Sequence, residues 1–345
     1  MVERYRLVEP VTEQSGGDYF PTASVRGVHF IPSGCMLLDC VLGGGYPLGR
    51  VVNIVGDKAV GKTLLGIEAA ANFAITYPKG FIWYREAEAA FDEQYADKLG
   101  LPKDKVDFGP EGIGSSWDTV EDIFEDLERC LDAADKRGVE GLYIVDSLDA
   151  LSSRAELGRK IDEGTFNLEK PKLLGQLLKR LCRRLKRTNV CFIIISQVRD
   201  KIGITFGDKH TRSGGKALDF YASQILYLSH LKIISATRKG AKRATGVRIR
   251  AKSKKNKIVV PFRECEFVIR FGYGIDDAGA SLEWLEENKM LDRLGLPKSE
   301  VLGYLVDLDK MPLAERLVEL KDVRDAVLQG WAEVEDRFQP LHSKY

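Results

Sequence analysis

Short apolar runs alternate with stretches of helical spacing through the middle of the chain. Val51-Val52-Asn53-Ile54-Val55, Phe81-Ile82-Trp83-Tyr84 and Leu142-Tyr143-Ile144-Val145 read as buried strands, as do Val190 to Ile195 and Ile225 to Leu228. Between them, Leu64 to Phe73 is an apolar helix and Val120 to Lys136 an amphipathic one. Lys172 to Lys186 predicts a basic helix, with Leu173, Leu174, Leu177, Leu178, Leu181 and Leu185 at helical spacing. Strands apolar on both faces and joined by helices predict an α/β fold with a mostly parallel central sheet. Residues 1–32 show no sustained period and carry Pro10, Gly16-Gly17, Pro21 and Pro32, which predicts an extended N-terminal arm. From Ala278 the pattern turns helical and its charge shifts, so residues 277–345 predict a small α-rich C-terminal domain. No internal repeat or low-complexity segment is apparent.

With 345 residues, 44% of them hydrophobic and 30% charged, the chain has an ordinary globular composition. Collagen-like, disordered and disulfide-scaffold classes are excluded. The longest strongly apolar stretch, Val190 to Ile195, falls far short of the ~18 residues a membrane span needs, so no membrane partner is expected. Met1-Val2-Glu3-Arg4 opens without the apolar core of a secretory signal. Cys35, Cys40, Cys130, Cys182, Cys191 and Cys265 lack metal-ligand spacing and any CxxC pair; they predict reduced cytosolic thiols packed as small hydrophobes. The net charge of +1 hides an asymmetry. Residues 170–263 hold 25 Lys or Arg against three acids, while the rest of the chain holds 27 bases and 48 acids. A segment so basic, yet rich in apolar strands, predicts a surface for a polyanion.

Gly56-Asp57-Lys58-Ala59-Val60-Gly61-Lys62-Thr63 matches GxxxxGK[ST] in full and lies between a strand and a helix. Its glycines let backbone N–H groups converge on phosphate oxygens at a helix N-terminus. Lys62 can bring its charge to the β- and γ-phosphates, and the Thr63 hydroxyl can ligate Mg²⁺. Asp146 ends a strand at the carboxyl edge where open α/β sheets bind ligands, so it can hold the Mg²⁺ shell, with Ser147 as a supporting hydroxyl. Hydrolysis further needs a group to orient or deprotonate water. Glu86 and Glu88 both follow the second strand, and periodicity does not choose between them. Gln197 ends another strand and is placed to sense a γ-phosphate.

Five segments extend the pattern beyond the phosphate loop: SGCMLLDCVLGGGYPLGRVVNIVG, EAEAAFDEQYADKLG, YIVDSLDAL, QVRDKIGITFGDKHTRSGGKALDFYAS and KNKIVVPFRECEFVIRFGYGI. Through them the chain resembles the RecA family of DNA strand-exchange recombinases, phage-encoded members included, over about Pro32 to Asp276. The resemblance implies a RecA-type P-loop ATPase core over residues 33–276, with ATP and Mg²⁺ as cofactors. It implies Glu88 as the catalytic Glu that activates water, beside Lys62 and Gln197, with Asp92 and Tyr95 at the adenine, Tyr95 by stacking. Gln197 would link the γ-phosphate to the loop that follows it. Arg199 to Gly215 resembles the second DNA-binding loop, and about Arg154 to Glu169 the first. Ile202 and Phe206 then lie near bound bases, and the backbone of Gly214 and Gly215 near DNA phosphates. Lys172 and Lys179 match basic positions facing the same strand. Arg250 and Lys252 match a secondary DNA site.

The same resemblance places Lys255 and Lys257 at a neighbouring subunit's γ-phosphate and Phe220 at the subunit interface. Phe20-Pro21-Thr22-Ala23 is reminiscent of the FxxA plug with which archaeal and eukaryotic relatives dock onto an adjacent subunit, which would make the arm a docking segment. The amino-terminal polymerisation helix of bacterial members is not recognisable. Leu341 to Tyr345 carry no acidic tail of the bacterial kind, so regulation by one is not expected. The expected function is ATP-dependent pairing and exchange of single-stranded DNA with a homologous duplex, in a helical filament, with DNA-stimulated hydrolysis. Recombination mediators are further implied partners, and the implied location is the cytoplasm, at the nucleoid, or a host's cytoplasm for a phage-encoded chain. The competing readings are a ring-forming helicase built on the same core and an accessory filament protein without strand exchange.

Overall fold

The computed structural model describes residues 28–88, 91–158, 169–200, 210–212, 215–310 and 313–339. Strands β1 (Phe30–Ile31) and β2 (Tyr46–Pro47) pair antiparallel around helix α1 (Met36–Leu42). Then follow β3 (Val51–Gly56), α2 (Lys62–Thr76), β4 (Phe81–Glu86), α3 (Glu93–Lys98) and β5 (Val106–Asp107). Next come α4 (Val120–Arg137), β6 (Gly141–Asp146), the single turn α5 (Arg154–Leu157) and α6 (Glu169–Thr188). β7 (Val190–Asp200) pairs with β8 (His210–Arg212), and α7 (Gly215–Tyr221) leads into the hairpin β9 (Gln224–Arg238) and β10 (Ala241–Asn256). β11 (Glu264–Arg270) and β12 (Gly274–Ile275) precede α8 (Asp277–Glu287), α9 (Val301–Lys310) and α10 (Leu313–Asp336).

The main sheet is ordered β12-β11-β10-β9-β3-β7-β6-β4-β5. From β9 to β5 every neighbouring pair is parallel, and β10 to β12 extend one edge antiparallel. This is the α/β fold with a mostly parallel sheet that the alternation predicts. Successive side chains take opposite faces. Val52, Ile54, Ile82, Tyr84, Ile144 and Ile195 pack with α1 and α2, while Val51, Val55, Trp83, Tyr143 and Ile194 pack with α4 and α6. Because both faces are covered, the strands read in sequence as unbroken apolar runs. Helix α4 shows how the local sequence sets its ends. The Thr119 hydroxyl accepts the Asp122 N–H at 3.1 Å, and Gly138 stops the helix at φ 62°.

The hairpin β9–β10 is far longer than the strand expected at Ile225 to Leu228. Its distal half is exposed and interleaves Leu231, Ile233 and Ile234 with bases and polar residues, so the pattern of a buried strand stops before it. Lys239 (φ 49°) and Gly240 (φ 80°) close it with both central residues left-handed, the twist that suits a tight hairpin. Phe30 and Ile31, expected in the arm, are buried and paired with β2. Leu282, Leu285, Val323 and Val327 of α8 and α10 join the same apolar cluster as Leu38 and Phe267. Five of the six cysteines are buried and Cys182 is half-buried, all as free thiols. Among the described residues no helix is long and apolar enough to cross a membrane.

Candidate nucleotide site and DNA-facing elements

β3 stops at Gly56 and α2 starts at Lys62, so the GxxxxGK[ST] turn crosses the carboxyl edge of the sheet. Ala59 (φ 57°) and Gly61 (φ 85°) take left-handed backbone on either side of Val60, the kind of alternation that curls N–H groups into an anion-binding concavity. Gly61 also needs to be small, because a Cβ there would lie 2.3 Å from Ile269 Cδ1. Asp57 Oδ1 accepts the Lys58 N–H at 2.8 Å. Lys62 is buried, and its Nζ donates to the Asp57 carbonyl at 2.6 Å. Desolvation draws its pKa below the usual lysine range, against the pull of Asp146, Glu88 and Asp149. Thr63 stands exposed in the first turn of α2, close enough to the Asp146 carboxylate to draw its pKa down.

Parallel register brings the remaining groups to this edge. Gly56 is level with Gln197, and Glu86 with Asp146. Burial pushes the Asp146 carboxyl up to about 6, while Thr63 and the Tyr84 hydroxyl pull it down. Glu88 Oε1 accepts the Ser147 hydroxyl at 2.6 Å and Gln197 Nε2 at 3.2 Å. Glu86 instead turns Oε1 back onto the N–H of Glu88, at 2.9 Å. Geometry therefore separates two acids that periodicity leaves equal. Asp149, which the sequence pattern does not single out, accepts the Gln197 N–H at 2.6 Å and so fixes the start of the segment beyond it. Asp92 caps α3 by accepting the Tyr95 N–H at 2.9 Å, and Tyr95 lies half-buried against the aliphatic cluster.

Lys255 and Lys257 are not at this edge. Lys255 and Asn256 are level with Ile225 and Gln224 on β9, and Gln224 is level with Val52 at the start of β3. The distance from Val52 to Gly56 is four strand residues, about 13 Å along the sheet. Both ammonium groups instead donate to the Phe220 carbonyl, at 3.0 and 3.3 Å, and Lys255 also to that of Asp219. Phe220 is exposed beside them.

On α6, Lys172 and Lys179 are exposed, seven residues apart and hence on one face, while Leu174, Leu178, Leu181 and Leu185 are buried. Three of its other bases pair with acids of α4: Arg180 with Glu128 at 3.0 Å, Arg187 with Asp135 at 2.7 Å, and Arg184 with Asp132. Bases of β10 are paired with acids in the same way. Arg250 pairs with Glu266 at 2.8 Å, Lys252 with Glu264 at 2.9 Å and Arg248 with Glu283 at 2.8 Å. Glu264 and Glu266 are register partners on β11, just past the end of the basic segment, so a charge count along the chain misses them. Arg154, in the region expected to form the first DNA loop, pairs with Asp122 at 2.5 Å and Glu125 at 2.7 Å. Arg199 lies on the extension of β7 opposite Thr211, and Gly215 (φ 48°) opens α7. Ile202, Phe206, Gly214, Phe20 and Ala23 lie outside the described residues.

Residues 20–276 match the family model described as the RecA N-terminal domain. The chain belongs to the RecA family. Protein RecA of Leifsonia xyli subsp. xyli is 36% identical over 269 residues, 78% of this chain and 71% of that protein. Protein RecA of Borrelia hermsii is 34% identical over 293 residues, covering 81% and 78%. That of Methylococcus capsulatus is 33% identical over 321 residues, covering 90% and 86%. As a RecA-family protein the chain is an ATP-dependent DNA recombinase, a DNA-dependent ATPase coupled to strand exchange. Its partners are single- and double-stranded DNA and further copies of itself in a filament.

Proposed function

We propose that ATP lies across the carboxyl edge of the sheet and that each site is completed by the neighbouring subunit. The convergence of Lys62, Asp146, Glu88 and Gln197 on one edge carries this reading. The loop N–H groups and Lys62 bind the phosphates, and Asp92 and Tyr95 bracket the adenine. Asp146 and Thr63 fit a hard divalent cation, since both present oxygen beside Lys62. These two residues would hold Mg²⁺, which would supply neutralisation of phosphate charge. Glu88, oriented by Ser147 and Gln197, takes the proton of the attacking water. Lys255 and Lys257, at the far end of the same protomer, reach the γ-phosphate of the next one, and Phe220 belongs to that contact.

β7 runs without a break from Gln197 to Asp200, so a group that senses γ-phosphate shares a strand with the second DNA loop. Lys172, Lys179, Arg199, Ile202, Phe206, Gly214 and Gly215 face the single strand. Arg250 and Lys252 bind the incoming duplex after exchanging their carboxylate partners for phosphate. Phe20 and Ala23 dock the arm onto the adjacent subunit. Recombination mediators act on this filament, and its setting is the cytoplasm, on nucleoid DNA or, for a phage-encoded chain, in the host. Glu88→Gln tests the assignment. It is expected to keep ATP-dependent binding of single-stranded DNA while its DNA-stimulated hydrolysis falls about a hundredfold or more. Hydrolysis at the parental rate would overturn the role given to Glu88.

A further inference from the structure

Tyr84 is fully buried in β4, two residues before the strand's carboxyl end. Its ring packs edge-on against Phe91, with centroids 5.4 Å apart, and lies 6.0 Å from Phe108. Its hydroxyl donates to Asp146 Oδ2 at 2.8 Å. Since Glu86 is level with Asp146, a side chain rooted at residue 84 must lean about 6.6 Å along the strand to arrive there, a reach that suits a tyrosine. Helix α2 lines the slot at Gly66, where a Cβ would stand in ordinary contact, 3.5 Å from the Tyr84 hydroxyl oxygen. A phenylalanine would satisfy the same ring contacts, so packing alone does not call for the hydroxyl. Thr63, in the first turn after the phosphate loop, is the polar group that faces this carboxylate from the other side. Asp146 is thus held from the core by Tyr84, with its other side left to the phosphate loop.

We propose that Tyr84 is a positioning residue for the metal–nucleotide site, its hydroxyl fixing the plane of the Asp146 carboxylate so that the remaining lone pairs face the metal shell. The proposal rests on the assignment of Asp146 and Thr63 given above. A carboxylate with no anchor rotates broadly about its terminal torsion. Outer hydrogen-bond partners of metal-holding groups typically carry about 10- to 100-fold in metal affinity.

The test is titration of a fluorescent ATP analogue, in EDTA and across a Mg²⁺ series, on the parental protein, Tyr84→Phe and Tyr77→Phe. Tyr77 is the control, since its hydroxyl donates to the Phe30 carbonyl at 2.9 Å, away from Asp146. Tyr84→Phe is expected to bind the analogue in EDTA as the parent does, which also reports an intact fold. The Mg²⁺ concentration giving half-maximal enhancement should rise roughly tenfold. Tyr77→Phe should keep the parental Mg²⁺ response. An unchanged Mg²⁺ requirement in Tyr84→Phe, or equal weakening with and without Mg²⁺, would overturn the proposal alone. A parental protein whose affinity ignores Mg²⁺ would overturn the metal assignment, and the proposal with it.

Discussion

Among the described residues Arg85 has the largest fully buried side chain, and it stands one residue from Tyr84, facing the opposite side of the sheet. Its Nε donates to Asp126 Oδ2 at 2.6 Å, and Nη1 to the Asp107 carbonyl at 2.5 Å. The guanidinium lies 4.9 Å from the Trp117 ring centre and 5.5 Å from that of Tyr143, whose hydroxyl donates to the same Asp126 oxygen at 2.8 Å. Removing one member of such a set strands the others in a dry setting. Arg85→Met should cost about 3–5 kcal/mol in urea unfolding, as for other broken buried pairs. A loss under about 1 kcal/mol would place the pair among exposed ones. At this same scale the sequence leaves Glu86 and Glu88 unresolved for a physical reason. The bonds that distinguish Glu88 come from Ser147 and Gln197, 59 and 109 residues away, and no local period encodes them. Glu86→Gln preserves an oxygen for the Glu88 N–H, so its hydrolysis rate should stay within about tenfold of the parent, far above Glu88→Gln.

Helix α2 is tied to the last strand through Glu68, whose Oε1 accepts the Ile275 N–H at 3.0 Å. Burial raises this carboxyl from the ordinary 4.5 to about 8. The folded state therefore holds a proton that the unfolded chain has already released across that window, and stability falls as pH rises through it. Asp39, raised by burial to about 7, adds a contribution of the same sign. Melting temperature should drop from pH 6 to pH 9, and Glu68→Gln should flatten the drop; parallel pH profiles would contradict the account. Helix α6 divides its charges by face, and DNA binding should report that division. Losing Lys172 and Lys179 together should reduce the salt slope of single-strand affinity by about 1.4, whereas Arg184→Ala, whose partner is Asp132, should leave it unchanged. Equal effects would mean that the α4 acids do not mask α6. The helix itself is legible from its leucines, but its pairing with α4 is not, because complementary charges on separate helices carry no mark of which helix they will meet.

Across the whole molecule, the parallel core is legible because burial on both faces leaves a simple apolar signature. The long β9–β10 hairpin and the ion-paired face of β10 escape, since one is exposed and the other depends on register with β11. The placement of Lys62 and of the Lys255–Lys257 pair at opposite ends of the sheet has the largest consequence. On the proposed function, a protomer that holds Lys62 at one end and Lys255 and Lys257 at the other would make a head-to-tail contact, and such contacts propagate into an open helix unless their rotation closes a ring. Phe220, 70% exposed beside the two lysines, supplies apolar surface for that contact. The decisive measurement is DNA-stimulated hydrolysis by an equal mixture of Lys62→Ala protein and Lys255→Ala/Lys257→Ala protein, each inactive alone. Random assembly pairs an intact phosphate loop with intact lysines at about one interface in four, so roughly a quarter of the parental rate should return. A mixture as inactive as its components, or lysine variants that hydrolyse ATP at the parental rate unaided, would contradict a site shared between neighbours.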